Sequence, residues 1–154
     1  MKTITVNGTD YKLIFSFEAA EYKELIQKMF KVVSGAYVIE EAKDMNKPTS
    51  MEIINGTANM IGDTAEICKI AFYAGLLEEN PLTKKEAIKV MREYMKANKL
   101  SYKTLNEELR GMMEEDGFFE LSGFNDMITQ MYGKQTVKIK KVPQDHKKRS
   151  TGTK

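Results

Sequence analysis

The stretch MKTITVNGTDYKLIFSF, residues 1–17, carries the local signal from which the fold is read. Asn7-Gly8 is a favoured pair for a tight hairpin turn, because both residues tolerate positive φ. Such a turn sets Val6 opposite Thr9 and Ile4 opposite Tyr11. Ile4, Val6, Tyr11, Leu13, Phe15 and Phe17 then share one face, while Thr3, Thr5, Asp10, Lys12 and Ser16 point away. A four-residue loop pairing Val6 with Tyr11 keeps the same parity, so the face assignment does not depend on the turn. An isolated hairpin is marginal in water. Its apolar face must therefore rest on another layer.

That layer is helical. Over residues 18–33, Tyr22, Leu25, Ile26, Met29, Phe30 and Val33 recur at helical spacing, with Glu24 and Lys28 placed as an i,i+4 ion pair on the wet side. Ser34-Gly35 ends this segment. Residues 36–49 read as a connector in which Tyr37, Val38 and Ile39 could form a short strand. From Ser50 a longer pattern begins. Ile54, Ala58, Ile61, Ala65, Cys68 and Phe72 fall on one stripe, and Ile53, Met60, Ile67, Ala71 and Ala74 on its neighbour. A helix apolar on two stripes is expected at the centre, with Ile54, Ile61, Cys68 and Phe72 among the most buried residues. Gly56 and Gly62 each cost about 1 kcal/mol inside a helix, so a break there is open.

The stretch FYAGLLEENPLTKKEA, residues 72–87, reads as a helix end, a turn and a helix start. Thr83 and Glu86 form a capping box, and Ile88, Met91, Tyr94 and Met95 give the next inward face. Ser101 opens a helix carrying Tyr102, Leu105, Leu109, Met112 and Met113. A last helix, from about Ser122, carries Phe124, Met127, Ile128, Met131 and Tyr132. The expected fold is α+β and mainly α. An N-terminal hairpin packs on a bundle of about five helices in one domain, 1–132, followed by a basic tail, 133–154. Val137 and Ile139 could add a strand before the chain becomes disordered past Pro143.

Charge divides the chain the same way. Residues 133–154 hold eight Lys or Arg against one Asp, a net +7, while the body holds sixteen basic and twenty-one acidic residues, a net −5. Cys68 is the single cysteine and reads as a small core residue. His146, the single histidine, lies in the tail, so a His-based catalytic site would have to stand on a segment unable to hold geometry. No phosphate-cradling glycine loop, nucleophile elbow or HExxH occurs. Paired carboxylates such as Glu107/Glu108 and Glu114/Glu115 are sequence neighbours that do not face each other on a helix. Neither an enzyme nor a bound cofactor or metal is expected, and no stretch reaches the ~20 apolar residues of a membrane helix.

Two features could bind a partner. The first is the run 112–132, in which Met112, Met113, Phe118, Phe119, Phe124, Met127 and Met131 crowd together. Ordinary core packing accounts for such a run. The other reading is a groove of adaptable Met and Phe side chains for an apolar partner segment. Adjacent Phe118 and Phe119 cannot both point inward on a helix. The second feature is the basic tail, which could contact nucleic acid but carries no interleaved aromatics for base stacking.

TVNGTDYKLIFSFEAAEYK, FYAGLLEENPLTKKEA and MEEDGFFELSGFNDM, taken in this order and spacing over residues 2–132, resemble the tail assembly chaperones of long-tailed phages and prophages of Gram-positive bacteria. The resemblance implies a small non-enzymatic protein of the host bacterial cytoplasm, absent from the finished virion. It would keep the hydrophobic tape measure protein soluble during tail assembly. The tape measure protein is the implied partner and the tail tube protein a further one, with self-association left open and no membrane involved. In this reading Gly75 allows close approach of the central helix to the next, Pro81 stops the first and Thr83 starts the second. The competing reading is a small accessory protein that binds nucleic acid through its basic tail.

Overall fold

The computed structural model describes residues 1–133; the third strand and disorder expected beyond lie outside them. Strands β1 (Lys2–Val6) and β2 (Thr9–Leu13) pair antiparallel with Ile4 opposite Tyr11 and Val6 opposite Thr9, the expected register. Asn7 and Gly8 take φ of 50° and 79°, the left-handed pair this turn demands. Ile4, Val6, Leu13 and Phe15 are buried and Tyr11 is half-buried. Phe17 is a correction: it is 67% exposed, because the strand stops at Leu13 and Phe17 already opens a helix.

Eight helices follow among the described residues: α1 (Phe17–Glu21), α2 (Lys23–Val33), α3 (Ala36–Glu41), α4 (Ser50–Leu76), α5 (Lys84–Asn98), α6 (Tyr102–Glu115), α7 (Phe118–Leu121) and α8 (Phe124–Tyr132). The segment expected as one helix from Glu18 breaks at Tyr22, whose ψ of 98° is extended. The break carries the Tyr22 ring against Tyr73, 5.5 Å between centroids, while Ala19 goes into the core. Lys84 sits 5.5 Å from the Tyr22 ring and pairs with Glu24 at 2.7 Å. Glu24 is thus taken by α5, and Lys28 pairs instead with Asp63 at 3.1 Å. The local i,i+4 pair loses to two tertiary ones.

The strand expected at residues 37–39 is helical. Gly35, at φ 72°, reverses the chain after α2, and α3 then packs on α4. Tyr37 is buried and its hydroxyl donates to Asp63 Oδ2 at 2.7 Å. That hydrogen bond, with the Lys28 ammonium, holds the Asp63 carboxyl below its ordinary value of 3.8. α4 runs unbroken through both glycines. At Gly56 a Cβ would stand 2.6 Å from the Tyr37 carbonyl oxygen, so the residue marks a backbone-to-backbone contact between α3 and α4. Capping boxes at Thr49/Glu52 and Thr83/Glu86 start α4 and α5.

The core gathers around the C-terminal half of α4, where Ile67, Cys68, Ile70, Ala71, Phe72, Ala74 and Leu76 are all buried. The hairpin closes this half: Ile14 N–H donates to the Gly75 carbonyl at 2.8 Å. A Cβ on Gly75 would meet the Phe15 ring at 3.0 Å and Leu13 at 3.1 Å. The close approach at Gly75 is therefore to the hairpin rather than to the following helix. Asp116, at the end of α6, accepts from Phe15 N–H at 3.0 Å and from the N-terminal ammonium of Met1.

The expected burial of the central stripe fails in its N-terminal half. Cys68 and Phe72 are buried as the pattern requires, but Ile54 and Ile61 are 60% and 65% exposed. Helix α6 starts at the level of Cys68, whose Sγ lies 3.3 Å from the Tyr102 carbonyl. Nothing among the described residues continues that cover toward Ser50.

Two stability measurements test this packing. Gly56→Ala drives a methyl into backbone and should cost about 2 kcal/mol or more in denaturant unfolding. Gly111→Ala, on α6 with open space around it, should be neutral or stabilise by up to about 1 kcal/mol. Asp63→Asn removes a carboxylate whose folded pKa is depressed, so the contribution is present above the unfolded pKa and lost as pH falls through the folded one. Thermal melts should separate wild type from Asp63→Asn at neutral pH, and the gap should narrow once the pH falls below the ordinary value of 3.8.

Candidate functional site

The run of Met and Phe at residues 112–132 divides into core and surface. Met112, Met113, Phe118 and Phe124 are buried, Phe119 is half-buried, and Met127 and Met131 are 51% and 55% exposed. The four buried residues cannot meet a partner in this conformation. Met112 and Met113 face inward because α6 packs on α4. Gly117 and Gly123, both at φ 75°, bracket the short α7 and turn Phe118 and Phe124 inward together. Phe118 lies edge-on to Phe15 at 6.3 Å, so it belongs to the floor of the hairpin. Phe119 packs edge-on against Phe118 at 5.4 Å and Phe124 at 5.9 Å, with one side left toward solvent.

Helix α8 is the most lightly held long element of this region. Of its nine residues Phe124 alone is buried, stacked on Phe30 of α2 at 5.9 Å. Its far end is tied by Tyr132, whose hydroxyl donates to the Ser34 carbonyl at 2.5 Å. Few buried apolar contacts make an element cheap to displace.

Between α2, α6, α7 and α8 lies a cleft of about 300 Å³. Val33, Phe119, Phe124 and Ile128 supply its apolar lining, and Arg110, Glu114, Asn125 and Thr129 its polar one. The Nε of Arg110 is buried with no hydrogen-bond partner, an unspent donor beside apolar walls. An apolar segment laid in the cleft could present a carbonyl or carboxylate oxygen there. Arg110 lies outside the Met and Phe run that the sequence pattern singles out. The signal was present: it is the single basic residue between Lys103 and Lys134, in an otherwise acidic and apolar run.

Among the described residues, no group of three or more His, Cys, Asp or Glu is placed to hold a metal ion. Burial pushes the Cys68 thiol up to about 12, which withholds its thiolate at neutral pH. No described helix is long and apolar enough to cross a membrane. A second cleft, of about 290 Å³ between the hairpin and α5, is lined in part by Glu86, Lys89 and Glu93. Its charged wall suits an apolar segment poorly.

Comparison of the chain with protein-family models, with curated proteins and with solved structures yields no match.

Truncation separates the two roles inside the run. Phe118→Ala and Phe124→Ala should each cost about 3–5 kcal/mol in denaturant unfolding, as deletions of buried rings do. Met127→Ala and Met131→Ala should stay within about 0.5 kcal/mol of wild type.

Proposed function

We propose that this chain is a non-enzymatic assembly chaperone that shields an apolar segment of a larger partner. The observation that carries this reading is α8, which exposes Met127 and Met131 on a lightly anchored helix beside the apolar cleft of Val33, Phe124 and Ile128. Methionine is unbranched and polarisable, so an exposed Met surface can mould itself to helices of varied sequence. An exposed apolar helix in a partner would aggregate until assembly buries it, and a small protein prevents this by covering it.

The likeness of residues 2–132 to phage tail assembly chaperones supplies the client: the tape measure protein of a long-tailed phage or prophage, held in the host cytoplasm until tail tube subunits surround it. Binding of nucleic acid through the basic residues 133–154 is supported by their charge alone, without a described surface behind it.

Co-expression with the tape measure protein should raise that protein's soluble fraction. The double variant Met127→Asp/Met131→Asp should remove the effect, because two charges in an apolar contact lose the burial and add desolvation. Its own circular dichroism and melting should be unchanged, since both side chains face solvent. A folded double variant that protects fully would move the client site elsewhere. Wild-type protein that gives no protection would overturn the chaperone reading.

A further inference from the structure

The exposed half of α4 carries an apolar strip that the described residues leave uncovered. Met51, Ile54, Ala58, Ile61 and Ala65 recur at spacings of three, four, three and four, the seam of a paired helix. They lie on the side of α4 opposite Gly56, where α3 packs. The same seam continues into Cys68 and Phe72, which the body buries. One helix therefore has a single seam, covered at its C-terminal end by α6 and bare for about 21 Å at its N-terminal end, at 1.5 Å per residue.

We propose that a second copy of this chain covers the strip, the two α4 halves packing antiparallel about Ala58. Three observations favour a copy of itself over another partner. First, the strip is nearly symmetric about its centre: small Ala58 is flanked by Ile54 on one side and Ile61 on the other. Reversing the helix about Ala58 sets Ala58 against Ala58 at the axis, where the small side chains let the helices approach, and Ile54 of one copy beside Ile61 of the other on either side. Second, residues 53–62 carry no charge, and the bordering carboxylates are engaged away from the strip. Glu52 closes the Thr49 cap, and Asp63 holds Tyr37 and Lys28. Two acidic bodies can thus meet without like charges at the contact. Third, the body widens at Cys68, where α6 begins. A parallel pair would press two bodies together, whereas an antiparallel pair sets them at opposite ends.

The area sets the strength. Two facing strips of this length bury on the order of 1,000 Å², the lower bound of a specific interface, which fits micromolar rather than nanomolar association. The contact is distinct from the α8 cleft and does not rest on the chaperone reading.

Sedimentation equilibrium of the full chain tests it. Wild type should be a dimer at about 100 µM and dissociate near micromolar concentration. Ile61→Glu should weaken association by a factor of about 100 or more and keep the wild-type circular dichroism, because Ile61 is exposed in the monomer. As an independent arm, Ala58→Cys should be crosslinked between copies by a short bifunctional thiol reagent, with buried Cys68 silent. A wild-type monomer at about 100 µM would overturn the proposal. So would a dimer indifferent to Ile61→Glu, or one that Ala58→Cys does not crosslink.

Discussion

Everything in this fold hangs on the seat of the hairpin at Gly75. The absence of a side chain there lets Leu13 and Phe15 come within van der Waals contact of α4, and the Ile14 amide hydrogen-bonds a carbonyl of the helix itself. A two-stranded hairpin has too little surface to hold its own shape; docked on α4 it becomes the lid of the core. Its far edge is drawn in by Asp116, which collects the Phe15 amide and the chain's own N-terminus at the corner between α6 and α7. Asn80, in the turn after α4, donates to the Lys12 carbonyl and closes the remaining side. One glycine thereby fixes where strands, central helix and C-terminal helices meet.

The position of that seat also decides which surfaces are left over. With the hairpin, α5 and α6 gathered on the C-terminal half of α4, the N-terminal half is met, among the described residues, by α3 from the Gly56 side. The opposite side keeps Ile54 and Ile61 in solvent. Elsewhere on the body, α8 is attached through Phe124 and Tyr132 and leaves its methionines outward. The molecule has a closed middle and two apolar surfaces, one rigid on a long helix and one adaptable on a short one. A regular isoleucine seam suits a partner of fixed geometry, while Met127 and Met131 suit partners that vary.

Tertiary contacts also overrule local preferences in several places. The Glu24–Lys28 pair is available on one helix face, yet both partners are drawn off, to Lys84 and Asp63. Exposed i,i+4 pairs contribute only a few tenths of a kcal/mol, so the local pair is readily outweighed by the packing of α2 against α4 and α5. Tyr37, Val38 and Ile39 have the β-branched and aromatic character of a strand, but with no strand beside them among the described residues the segment closes its hydrogen bonds as a helix against α4.

The sequence by itself determined the features whose causes are local. The Asn7-Gly8 turn and its register, the Thr83/Glu86 cap, the inward face of α6, that of α5 at Met91, Tyr94 and Met95 though not at Ile88, and the mainly α architecture follow from turn stereochemistry, capping and periodicity, all within a few residues. Periodicity also placed Ile54, Ile61, Cys68 and Phe72 on one stripe, which they share, and grouped Met112, Phe118, Phe124 and Met127 in one run. It could not say which members of each set would be covered. That depends on where a distant helix begins: α6 starts at Cys68, so the stripe is core on one side of that point and surface on the other. The same limit holds for Arg110, whose unpaired Nε becomes visible only when α2, α6 and α8 converge around it. Burial is a property of two surfaces meeting, and a sequence pattern describes one of them.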